Sequence, residues 1–113
     1  MAAVFGIHEF GLSSEVNRNE FEKFINEEWI PHFAQLSGTH YTLLKGDRGS
    51  RSGLYLLIVK TESVTRRDGL WPAPGKSGDE TQRVADCAPL FNGKPLSAYW
   101  EGYLFNDYVV LGE

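Results

Sequence analysis

An α+β fold is predicted for this chain of 113 residues, and three observations predict it. Four segments rich in β-branched and aromatic residues are interleaved with two helical patterns, in the order strand, helix, strand, strand, helix, strand. Both helical patterns open on capping-box signatures, NRNE at 17–20 and SGDE at 77–80. No repeat, low-complexity tract or linker interrupts them, so a single domain over residues 1–113 is expected.

The first strand is placed at 4–12, VFGIHEFGL, whose alternating sets are both apolar enough to be covered on two faces. Asn17 is the N-cap of a helix running from about 18 to 36, with Glu20 completing the box and Val16 set to staple against Phe21. Gly38 should stop it. THYTLLKG at 39–46 and LYLLIVKTE at 54–62 are antiparallel strands joined by the polar hairpin DRGSRSG. LYLLIV lacks polar alternation, which places that strand in the middle of the sheet. SVTRRDGLW reads as a short helical turn and PAPGKSG as an irregular surface loop. The second helix passes through Val84, Ala85 and Ala88, is interrupted near Pro89 and ends before Gly93. The last strand is expected at about 106–112, where DYVVL alternates.

This order is the split βαβ arrangement of a ferredoxin-like sandwich, a four-stranded antiparallel sheet with its helices on one face. The other face would then be apolar and bare, and a twofold homodimer closing two such faces into a barrel is the simplest remedy. With 42 % hydrophobic and 23 % charged residues the composition is that of an ordinary globular domain. A net charge of −4 and a pI near 5.3 argue against nucleic acid or an anionic membrane as partner. Cys87 has no partner for a disulfide or a zinc site; it reads as a small apolar helix residue, with a reactive thiol as the alternative. Neither a secretory leader nor the roughly 20 consecutive apolar residues of a spanning helix is found, so a cytoplasmic location is expected.

The chemistry-bearing candidates centre on EEWIPH at 27–32. At about 100° per residue, Glu28 and His32 fall between Phe24 and Ile25 on the sheet-facing arc, four positions apart and able to touch. A buried carboxylate among phenylalanines needs a partner, and an imidazole beside it makes either a proton-shuttling dyad or a structural ion pair. Pro31 leaves the Glu27 carbonyl without its donor, so the helix should kink, either opening a cavity beside His32 or merely following the sheet. On the first strand His8 and Glu9 point to opposite faces. His8, in register with Val4, Phe10 and Leu12, is the choice for a second acid or base, and Glu9 is expected on the dimer side. His40, at a strand end, is a rim or surface candidate, and Asp107 is expected to reach the pocket or bond a backbone group. Phe21, Phe24, Trp29, Tyr41 and Trp100 are the candidate apolar walls. Arg48 and Arg51 belong to a solvated hairpin. A metal site built from Glu28, His32 and His8 is judged against, because E-x3-H is a far weaker pattern than H-E-x-x-H. No phosphate-binding glycine motif opens a helix, so no nucleotide cofactor is expected.

The element order, FEKFINEEWIPHFAQLSGTH, LLKGDRG, YLLIVKTES and DYVVLG together resemble the dimeric α/β-barrel superfamily, over nearly the whole chain. More narrowly the chain is similar to RedY-like members, associated with prodiginine and bisindole biosynthesis. Site and resemblance together lead to the expectation of a small homodimeric enzyme of secondary metabolism, free of metal and organic cofactor, the resemblance supplying the type of intermediate. It would perform a cyclisation or dehydration by acid and base chemistry on an apolar aromatic intermediate of the pyrrole or indole type. His32 oriented by Glu28, with His8 as partner, would move the proton. Two alternatives stand beside this: a cofactor-independent monooxygenase using the same dyad, and a non-catalytic protein that binds or assembles such an intermediate.

Overall fold

The computed structural model describes residues 2–112. Strand β1 (Val4–Leu12) leads into helix α1 (Arg18–Phe24), a π-helical turn (Ile25–Trp29) and helix α2 (Ile30–Phe33). Strands β2 (Thr39–Lys45) and β3 (Tyr55–Thr61) follow, then helices α3 (Val64–Leu70) and α4 (Asp79–Asp86), a 3-10 turn (Leu96–Tyr99) and strand β4 (Trp100–Val109). The sheet order is β2-β3-β1-β4 with every neighbouring pair antiparallel, as the split βαβ order requires.

Local chemistry accounts for most of these elements. The Asn17 side chain accepts the Glu20 amide at 3.0 Å, and Val16 and Phe21 are both buried behind it. The core joins Phe21, Phe24 and Ile25 to Phe10 and Leu12 of β1 and Tyr55 and Leu57 of β3. Phe21 and Phe24 therefore fill the interior, and their expected role as walls of a ligand site is corrected. Tyr55, fully buried, donates its hydroxyl to Glu22 Oε2 at 2.5 Å, and Lys45 Nζ reaches the same oxygen at 2.8 Å.

Three expectations about element boundaries change. The last strand starts at Trp100, not near 106; Gly102, with φ +61, breaks the alternation between Trp100 and Tyr103 and so hides the strand's first half. Helix α4 starts from Gly78, not from a Ser77 cap. The Gly78 amide donates to the Leu70 carbonyl at 2.8 Å, and a Cβ there would lie 2.5 Å from the Gly69 carbonyl oxygen, so only glycine fits. The same helix closes at Asp86, well before Pro89, leaving Cys87 exposed at its C-cap instead of packed along a helix.

The largest correction concerns EEWIPH. Pro31 does not simply kink the helix. It enters at the first turn of α2, where a missing amide is tolerated, immediately after a π-turn in which the Ile30 amide donates to the Ile25 carbonyl. An i→i+5 turn accommodates about one residue more than an α turn and so rotates all that follows by about 100°. Ile30 is thereby brought against the core, and Glu28 is exposed instead of buried.

Helix α4 packs chiefly on α2 and α3. The stretch of sheet that a second covering helix would occupy is left beneath α1–α2 and the Trp71–Gly75 segment, and a cavity lies there. Opposite, the sheet is bare: β4 contributes Leu104 and Tyr108, 55 % and 56 % exposed, and β2 contributes Leu44 at 45 %. No helix among the described residues is long and apolar enough to cross a membrane.

Candidate functional site

The cavity has a volume of about 560 Å³, within the range of small-molecule sites. Its floor is set by strand alternation. Gly6 and His8 of β1 face the helical side, with Asp107 and Phe105 opposite them on β4 and Val59 and Leu57 opposite them on β3. Gly6 makes the hollow: a Cβ there would meet Asp107 Oδ1 at 3.3 Å and Phe105 Cε1 at 3.4 Å. Trp29 and Phe33, stacked at 4.2 Å, form one wall, with Tyr41 edge-on to Trp29. The proline-rich segment from Trp71 to Gly75 forms the other.

His8 is the titratable group most enclosed by aromatic rings. Its Nδ1 lies 2.8 Å from the Tyr103 hydroxyl, and its ring contacts those of Phe105 (4.8 Å), Tyr103 (5.9 Å) and Trp100 (6.5 Å). Burial pushes the imidazole below its usual 6.5, and the Asp107 carboxylate opposes this only in part, so the neutral ring is favoured. If Nδ1–H donates to the Tyr103 oxygen, Nε2 presents its lone pair; with the other tautomer Tyr103 donates and Nε2–H becomes a donor.

Beside it Arg67, on α3, bonds Asp68 Oδ1 at 2.8 Å through Nε and Asp107 Oδ2 at 2.7 Å through Nη1. These carboxylates, Asp68 first, hold the guanidinium firmly charged. Asp107 is thus a cavity residue paired with an arginine instead of a backbone donor. Tyr41, 7 % exposed, has its phenol raised by burial. Thr39 opposes that rise, but its own hydroxyl proton goes to the Leu36 carbonyl, leaving the Tyr41 oxygen without a well-formed hydrogen bond.

Of the residues singled out in the sequence, the structure brings His8, Trp29, Tyr41, Trp100 and Asp107 to one cavity. Glu28 and His32 do not gather there. His32 Nε2 lies 2.6 Å from the Val84 carbonyl and Nδ1 is 3.1 Å from the Gln35 amide, so the ring joins α2 to α4, while Glu28 faces solvent. The dyad is corrected: the His32 ring is taken up by Val84 and Gln35, and Glu28 is exposed. His40 is exposed on the bare face, and Glu9, on that same face, pairs with Arg51 at 3.2 Å. Among the described residues no group of three or more His, Cys, Asp or Glu is placed to hold a metal.

Sequence reasoning missed Phe33, Arg67, Asp68, Trp71, Tyr103 and Phe105. Tyr103, Phe105 and Asp107 do carry a signal, two-residue spacing in one strand, which becomes visible once that strand is begun at Trp100.

Fold and cavity together define an α+β protein of the ferredoxin-like class with an aromatic pocket on the helical side of its sheet. Solved structures share the fold. One is a dimeric ferredoxin-like protein from an uncultured marine organism, 16 % identical with a TM-score of 0.64 over 100 % of this chain and 91 % of that one. Another is a dimeric protein of unknown function and ferredoxin-like fold from Bacteroides fragilis, 14 % identical with a TM-score of 0.52 over 94 % of each chain. No protein-family model and no curated protein matches the chain.

Proposed function

We infer that the protein is a homodimer that binds an apolar aromatic metabolite in the helix-side cavity and moves a proton on it through His8. The observation that carries this reading is the half-buried imidazole held by Tyr103 in the wall of that cavity, where burial favours its neutral form. A base must be unprotonated at working pH and within reach of its ligand, and His8 meets the first condition through burial and the second through its place in the wall. Proton uptake at Nε2 would turn the ring into an imidazolium, which the nearby Asp107 carboxylate favours. The resemblance to RedY-like proteins supports a pyrrole- or indole-type intermediate, and a cyclisation or dehydration is the reaction such a base serves. Dimerisation through the bare sheet face is supported by its exposed Leu44, Leu104 and Tyr108 and by the two structural relatives described as dimeric.

The test is built in. All three tryptophans, Trp29, Trp71 and Trp100, line the cavity, so intrinsic fluorescence reports its occupancy. Aromatic metabolites should quench it saturably in wild type and in His8→Gln alike, while any turnover found should be lost in His8→Gln by about 10²-fold or more. Binding with turnover intact in His8→Gln would remove His8 from the reaction.

A further inference from the structure

The charged groups in the cavity wall do not cancel. They are the Arg67 guanidinium and the Asp68 and Asp107 carboxylates, which leave one negative charge when His8 is neutral. Arg67 engages one oxygen of Asp107, Oδ2. The other, Oδ1, lies over the bare Cα of Gly6 with no hydrogen-bond donor assigned to it among the described residues. Around this acceptor stand the faces and edges of Trp29, Phe33, Trp71, Trp100, Tyr103 and Phe105. A free carboxylate oxygen within an aromatic enclosure is the arrangement that favours an organic cation, through a charge-assisted hydrogen bond at one point and ring quadrupoles around it. An anionic ligand would meet the same carboxylates, and Arg67, the one lysine or arginine among the described residues that line the cavity, is already bonded to both of them.

We propose that the ligand of this cavity is an aromatic compound bearing a protonated nitrogen, whose N–H donates to Asp107 Oδ1 above Gly6. The proposal rests on the reading of the cavity as a ligand site and adds the ligand's charge. Gly6 leaves the oxygen uncovered, Arg67 fixes the carboxylate by its far oxygen, and the rings supply both apolar contact and cation–π attraction.

The experiment compares three probes of one shape and different charge, phenylbutylamine, phenylbutanol and phenylbutyrate, by quenching of tryptophan fluorescence at pH 7. The amine should bind about tenfold or more tightly than the alcohol, with the acid weakest. Asp107→Asn should abolish that preference, bringing the amine's affinity down to that of the alcohol in the same variant. Arg67→Gln, which removes the competing cation, should widen the preference, and it keeps the question open to test if Asp107→Asn does not fold. Equal or tighter binding of the alcohol or the acid to wild type overturns the proposal while leaving the cavity a ligand site. A preference for the amine that survives in folded Asp107→Asn also overturns it. If none of the three quenches, both this proposal and the ligand-site reading fall.

Discussion

At the scale of single residues, His8 makes stability and pH inseparable. Its folded pKa is depressed below 6.5, so between that value and the lower folded one the unfolded chain binds more protons than the native one. The contribution of the neutral ring is present above pH 6.5 and is lost as pH falls through the folded value. Denaturant midpoints should therefore fall more steeply from pH 7 to pH 5 in wild type than in His8→Gln, and equal slopes would contradict the assigned burial. Gly6 makes a complementary prediction. Its backbone is not left-handed, so Gly6→Ala should fold, but a Cβ set 3.3 Å from Asp107 Oδ1 covers the proposed anchor. Affinity for phenylbutylamine should drop by about tenfold or more, with circular dichroism unchanged. His8 was legible from alternation alone, because a strand's period of two leaves no freedom about which side chains share a face. Arg67 was not, since a cation in a short helical turn looks the same in sequence whether it faces solvent or a strand distant in the chain.

At the scale of elements, α1 is fastened to the sheet at Glu22. Its carboxylate is held below the usual range by Lys45 and then Tyr55, and the Tyr55 hydroxyl is placed to use the bond from the fully buried side of the interface. Tyr55→Phe should cost about 1–3 kcal/mol, as expected for a hydrogen bond to a charged acceptor. Equilibrium unfolding measures this, and a loss under 0.5 kcal/mol (a rough floor for a net hydrogen bond) would mean that water replaces Tyr55 without penalty. The helical wheel placed Phe21, Phe24 and Ile25 correctly because Phe21 and Phe24 precede the π-turn and Ile25 opens it, before its extra residue is accommodated. It failed for Glu28 and His32 because a constant 100° step carries no term for a changed hydrogen-bond register. Pro31 was the visible sign of trouble, and the sequence showed where the helix would be disturbed without showing that the disturbance would be rotational.

At the scale of the whole molecule, the bare sheet face predicts assembly. Leu44 and Leu104 sit on the two edge strands, and a charge at both opposes burial there without entering the core. Leu44→Glu/Leu104→Glu should sediment as a monomer where wild type sediments as a dimer, with secondary structure retained. A wild-type monomer would refute the assembly outright. This scale was the most legible in sequence, because the order of elements and the apolarity of β3 leave few ways to build a sheet and one obvious face to cover.

The sheet order has a further consequence. The first strand pairs with the last, and His8 meets Tyr103 across 95 positions of sequence. The pocket therefore has no partial form: a chain lacking β4 would hold Gly6 and His8 but neither Asp107 nor the rings that enclose them. Closing so long a loop is slow relative to local pairing, which sets the cavity among the last features to be made during folding. A molecule bound there acts as a latch on the completed topology, and by mass action its binding energy is felt by every strand at once. Protection of β1 and β4 amides from hydrogen exchange should rise together when it binds.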